Sequence, residues 1–291
     1  MVLESLISPE KAENKPGLLV LLGFLYTSIA MLLSYMIFKQ YSSMFMVFLA
    51  TVVSVPLMYK LIKMEEQKDL TDQPEVMLLK EHWKALSAFM YLFFGATLCF
   101  AFWYVVLPSP TISLLFDSQT STIISINGRT TELTGGTTGF ATNPFNILSK
   151  IFFNNVKVLL FTIVFSFLYG AGALFILLWN ASVIGTAIGN FIRSNLASLA
   201  TNLGGIGLGN YLSVISIGLF KYVIHGVPEI LAYFVGALAG GIISVAIINH
   251  DVETRKFEHV LLDSADLLML ALVITFVAAI LEVYVTPMFF A

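Results

Sequence analysis

The sequence predicts an all-α fold: a polytopic transmembrane helical bundle of six to seven helices, with a small external β-leaning loop. Three observations carry this. First, 58% of the 291 residues are apolar and mean hydropathy is +0.88. Second, only 11% of residues are charged, where an ordinary soluble domain carries about 25%. Third, the charges are gathered: 23 of the 33 lie in residues 1–15, 60–84 and 251–266. The stretches between them are long enough to cross a bilayer, which takes about 20 apolar residues. Such a composition excludes a soluble globular enzyme, a nucleic-acid binder and a disordered chain. It implies the lipid bilayer as solvent.

The elements follow in order. The first 17 residues, MVLESLISPEKAENKPG, carry three acids. They lack the basic start and small-residue cleavage site of a secretory signal, so the first apolar run is expected to stay as a span. Residues 16–38, 43–59 and 85–107 carry no charge, and each reads as a helix. The 35 residues from Val158 to Ile192 are also uncharged. They hold one span and the start of another element. Residues 194–220 are uncharged but rich in Gly, Asn and Ser. Residues 222–248 and 267–287 each contain one acid, Glu229 and Glu282. This gives six helices, with a further crossing at 181–200 or 206–220. The chain divides into an N-terminal two-helix hairpin with its linker, 1–84, and a second transmembrane domain, 85–291.

Lysine and arginine set the orientation. Five lysines crowd residues 60–84, while the 43 residues of 108–150 hold only Arg129 and Lys150. The first loop is then cytoplasmic and the second external. Lys11 and Lys15 place the N-terminus in the cytoplasm. Arg255 and Lys256 favour a cytoplasmic 249–265 loop, which requires one net crossing between about 180 and 221 and an external C-terminus. If 181–221 folds back instead, the last loop and the C-terminus change sides. The 108–150 loop is rich in Thr and Ser, and Asn127-Gly128 between β-branched stretches is a type I′ hairpin signal. A small external hairpin or a floppy loop is expected there.

Thirteen of the 20 glycines fall between Gly170 and Gly241. Small residues recur at four-residue spacing, as in Gly185 with Gly189 and Gly236 with Gly240. Each pair lines one helix face. Close packing over small residues drives helix association in lipid, either within the chain or between copies. The segments 183–192 and 234–243 both read x-x-G-x-x-x-G-x-x-I, a hint of an internal repeat. The run NLGGIGLGN (202–210) is either a loop or an unwound segment between two half-helices, which would line a cavity.

Ionisable residues inside apolar runs are the candidates for function. Lys221, His225, Glu229 and Tyr233 are spaced by four and form one stripe on a helix. Pro228 lies within the stripe and frees the carbonyl of Ile224. The stripe is a proton or ion pathway, or a structural lock in which His225 and Glu229 satisfy each other. Asn154, Asn155 and Lys157 open the fourth span, and Lys157 is a candidate ion-pair partner for Glu282 or Glu229. Glu282 otherwise sits solvated at the outer end of the last span.

Nothing implies a catalytic set, a cofactor or a metal. The lone Cys99 offers no disulfide framework, and P-loop, Rossmann, HExxH and GxSxG motifs are missing. His259, Asp263 and Glu258 read as one face of a solvated linker helix.

The segment HGVPEILAYFVGALAGGIIS (225–244) resembles the HG-x-x-E…G-x-x-x-G signature of the stage II sporulation protein M family of integral membrane proteins. The run 152–189 resembles that family's Asn-led span with its Gly-spaced positions. The N-terminal part looks like archaeal members with two extra leading spans. The resemblance covers about 85–285 and makes His225, Glu229 and Asn155 the signature positions. It implies that bacterial relatives assist peptidoglycan hydrolases during spore engulfment, as membrane subunits without catalytic residues. An archaeal-type chain has neither spores nor peptidoglycan, so only the architecture carries over. The expected function is a non-enzymatic scaffold or accessory subunit of a cell-membrane complex. Its partner is another membrane protein or a second copy, and not nucleic acid. The alternative is a transporter or channel using the broken 181–221 region and the Lys221, His225 and Glu229 stripe. An intramembrane enzyme is the third reading.

Overall fold

The computed structural model describes residues 11, 15–69, 75–133, 144–166, 171–203, 208–248 and 255–290. The described residues are helical almost throughout, and no strand occurs among them. The elements are α1 (Gly17–Phe38), α2 (Ser42–Asp69), α3 (Glu75–Val106), α4 (Ser109–Leu115), α5 (Asp117–Leu133), α6 (Pro144–Ser166), α7 (Ala171–Leu203), α8 (Leu208–Ile248), α9 (Arg255–Ile280), a π turn (Leu281–Val285) and α10 (Thr286–Phe290). Helices dominate because in lipid each backbone group must bond within its own segment.

Six segments of the described residues are long and apolar enough to cross a membrane. The first such segment, Gly17–Met64, contains both α1 and α2. The two double back at a 3₁₀ turn, Lys39–Tyr41. Ser34 donates to the Ser42 carbonyl at 2.8 Å and Ser42 donates to the Lys39 carbonyl at 2.9 Å. Phe38 stacks on Phe45 across the turn, with ring centroids 3.9 Å apart. These bonds close a hairpin in which the polar turn absorbs the free ends of both helices.

Inter-helix contacts fix the directions. Gly23 of α1 lies against Leu92 and Ala96 of α3, and Ser28 reaches Cys99 and Trp103. Numbers rise together, so α1 and α3 are parallel. By the same reasoning α7 runs parallel to α3, through Gly185 beside Phe100 and Gly189 beside Tyr104. The α6 and α8 helices are also parallel, through Gly236 beside Leu159 and Gly240 beside Ser166. We call the end of the bundle where α1 starts the near end, and the opposite one the far end. The α3–α4 junction, the C-terminal end of α7, the start of α8 and α10 all lie at the far end.

The centre is α8: 83% of its most apolar stretch is buried, against 22% for the last span and 17% for α6. Phe234 of α8 packs on Phe89 and Phe93 of α3, with centroids 5.9 and 5.8 Å apart. A small cavity beside Phe234 is lined by Leu92, Leu174, Leu177 and Leu178, apolar side chains throughout. The outward faces of α1, α6 and α9 are apolar and exposed, as in Leu21, Phe161 and Val273. That is the pattern of lipid contact.

Two expectations are corrected. The β-leaning insert is helical from Ser109 to Leu133 (residues 134–143 lie outside the described ones). Its Thr and Ile residues have strand propensity, but that preference yields to packing. Phe116 is fully buried and meets Phe100 and Tyr104 edge-on, and Gln119 is fully buried one turn later. The α4–α5 pair therefore dips into the far end of the bundle. The 181–221 region is also not broken into half-helices. Residues 181–203 continue α7 and 208–221 begin α8, both full helices, and residues 204–207 of the glycine-rich run lie outside the described ones. The α8 helix passes through Pro228 without interruption.

Candidate functional site

The polar stripe of α8 lies near the middle of the bilayer, and its depth can be read from its neighbours. Phe234 packs between Phe89 and Phe93. Glu229 is five residues nearer the far end, about 7.5 Å along a helix. That is the level of Ala96 and Thr97, close to the middle of the Trp83–Val106 span. His225 is one turn further out.

Three of the stripe's residues are tied into the structure. The Tyr233 hydroxyl donates to Glu229 Oε1 at 2.6 Å, the short distance expected when the acceptor is a carboxyl oxygen. Tyr233 is fully buried, while Glu229 and His225 are partly exposed. His225 Nδ1 lies 3.1 Å from the Thr286 hydroxyl. That hydroxyl also lies 3.1 Å from the Leu281 carbonyl, to which it can donate. Which partner donates in the His225–Thr286 pair follows from the imidazole tautomer. The Thr286 backbone N–H bonds the same Leu281 carbonyl, and this five-residue bond closes the π turn that carries Glu282. A π turn inserts one residue into the helical winding, and such insertions occur often at functional sites. Glu282 is partly buried and close enough to Glu229 and Tyr233 to interact electrostatically with both.

Asn155 belongs to the same layer. The inner face of α6 is Asn155, Leu159, Thr162 and Ser166. Leu159 meets Gly236, and the two helices are parallel. One turn back along both places Asn155 beside Ala232 and Glu229. It is 4% exposed, and its Nδ2 has no hydrogen-bond partner. A buried amide donor without a partner is costly in an apolar setting.

The other candidates fall elsewhere. Lys157 is exposed on the outer face of α6, and no ion pair joins it to Glu282 or Glu229 among the described residues. That expectation is corrected: Lys157 lies two residues after Asn155, about 200° around the helix, which turns its side chain away from α8. Glu229 binds Tyr233 and His225 binds Thr286, so these two do not satisfy each other as the lock reading supposed. Lys221 lies in α8 eight residues beyond Glu229 toward the far end, and its side chain is outside the described residues. Gly185 and Gly189 sit against α3, and Gly236 and Gly240 against α6, so both pairs are used inside the chain. The described residues hold no group of three or more His, Cys, Asp or Glu that would bind a metal.

Sequence reasoning missed three features. Gly23 and Gly95 bring α1 and α3 into backbone contact. Gly95 is the lone glycine of the charge-free run 85–107, and Gly23 is the one glycine of 16–38 away from its start, which was the available signal. Gln119 donates to the Ser43 carbonyl at 3.0 Å and to Ser182 Oγ at 3.2 Å, joining α5 to α2 and α7. Arg193 donates to the carbonyls of Leu107 (2.8 Å) and Tyr104 (3.3 Å) and to Ser109 Oγ (2.8 Å), capping the C-terminal end of α3.

The described site thus lies within one contiguous matched region. A family model described as Stage II sporulation protein M matches residues 88–287, from α3 to the start of α10. The match includes Asn155, His225, Glu229, Tyr233 and Glu282 and leaves out α1 and α2. No curated protein and no solved structure matches the chain.

Proposed function

The chain belongs to the stage II sporulation protein M family, and on that premise we propose that it is a non-enzymatic scaffold or accessory subunit of a complex in the cell membrane. It is a multi-pass membrane protein with an all-α bundle. One observation supports the scaffold reading above the others. The middle of the bundle is closed by large apolar side chains, with Tyr233 and Phe234 of the central helix at most 1% exposed. The cavity beside Phe234 has no polar lining. The ionisable residues lie at the α8–π turn edge instead of along an axis through the molecule.

The transporter reading needed half-helices meeting at mid-depth, and α7 and α8 are full helices there. An enzyme would need convergent groups beside an open pocket. The described cluster instead holds Glu229 on Tyr233 and His225 on Thr286. For sidedness, we assign the near end to the cytoplasm and the far end, with 108–150, to the outside. The lysines of 60–84 support this through the positive-inside bias.

Gentle solubilisation of the tagged chain from its native membrane tests the reading. A scaffold co-purifies with a defined membrane partner and gives no solute flux in proteoliposomes. Recovery of the chain alone, together with flux that Glu229→Gln abolishes, would overturn it.

A further inference from the structure

We propose that Glu229 and Glu282 form a docking point for a transmembrane helix of a partner protein that carries one lysine or arginine near mid-depth. The inference rests on the scaffold reading and names the chemistry of its partner. The His225–Thr286 contact sets α8 against the π turn, and Glu229 and Glu282 each lie four residues from it toward the near end, so two partly exposed carboxyl groups share one level near the middle of the bilayer at the rim of the bundle. Ionisable groups at this depth are costly and are normally paired. The chain offers no described cation to them. Lys150 and Lys157 are exposed on α6. Lys221 lies eight residues nearer the far end, about 12 Å along the helix.

One further feature belongs to this pair. The π turn breaks the regular winding of α9 at Glu282, and Thr286 and His225 hold it in place. A regular helix would give that carboxyl a different bearing. A divalent metal does not fit, because fewer than three metal-ligating side chains converge. A helix does fit beside it: the flanking spans are only 22% and 17% buried. Polar side chains act as specific contacts between helices where lipid supplies no hydrophobic drive.

The test uses the full chain in liposomes, with fluorescence transfer to single-span peptides. One peptide is an all-leucine span, one carries a central lysine and one a central glutamate. The lysine peptide is expected to bind about tenfold more tightly than the leucine peptide, the size of one interhelical polar contact. The glutamate peptide shows no gain. The preference disappears in the Glu229→Gln/Glu282→Gln variant. Equal binding of the lysine and leucine peptides by the unmodified chain overturns the proposal and requires no variant to fold. So does a lysine preference that survives the double variant. If instead the variant lowers transfer between copies of the chain while no peptide is preferred, the occupant is a second copy and the proposal falls. A native partner that co-purifies equally well with the double variant leaves the scaffold reading standing and overturns only the docking point.

Discussion

Tyr233 ties the central helix to its own carboxyl through a 2.6 Å bond, and the two ends of that bond are not equivalent. Tyr233→Phe removes the donor and leaves Glu229 Oε1 without a partner. A loss of about 1–3 kcal/mol is expected, read as a lower unfolding midpoint in detergent. Glu229→Gln keeps an acceptor oxygen in place and is expected to fold with an unchanged midpoint. A similar contrast holds for the glycines. A side chain at Gly95 would run into the backbone of Val20, whereas Gly209 has open space around it. Gly95→Leu is expected to cost about 1–3 kcal/mol or more through overpacking, and Gly209→Leu to have no measurable effect in the same melt. The His225, Glu229 and Tyr233 spacing was legible in the sequence because one helix's periodicity suffices to align it. The partners of these residues were not. Thr286, the orphan amide of Asn155, and Gly23 against Gly95 all depend on register between helices, which a single sequence does not specify.

The elements were legible where hydrophobicity alone decides them. The described residues of the long uncharged runs are helical almost throughout, including residues 85–106 as the membrane part of α3. The insert was misread because local propensity and packing disagree there. Threonine, isoleucine and Asn127-Gly128 suggest a hairpin, yet the anchors are Phe116 and Gln119, and burial of those two residues starts a helix. Gln119→Ala should therefore loosen the α4–α5 pair against α2 and α7. Faster amide exchange at 109–122, with exchange in α8 unchanged, is the expected result. Arg193 had no visible role in the sequence, because its three acceptors lie 84 to 89 residues away. The direction of α7 also fixes a labelling pattern on a Cys99→Ala background. Ser194→Cys and Asn210→Cys should react with an impermeant thiol reagent from outside, and Asp251→Cys only after the membrane is opened. Labelling of Asp251→Cys from outside would reverse the assignment of the two ends.

At the scale of the whole molecule, the scarcity of charge established the membrane, and the packing now limits what the protein does there. A central helix buried along most of its apolar stretch, an apolar middle and an acidic pair at the edge suit a protein that holds others. The family match covers residues 88–287 and leaves the α1–α2 hairpin outside. That hairpin is nonetheless packed on α3 through Gly23 and Gly95, so the leading spans and the matched region share one core. The mass of the complex released from native membranes tests the scaffold claim most directly. The chain contributes 32.1 kDa. A scaffold gives a discrete larger species containing a second membrane protein at fixed ratio. A species containing this chain alone, in any copy number, contradicts it.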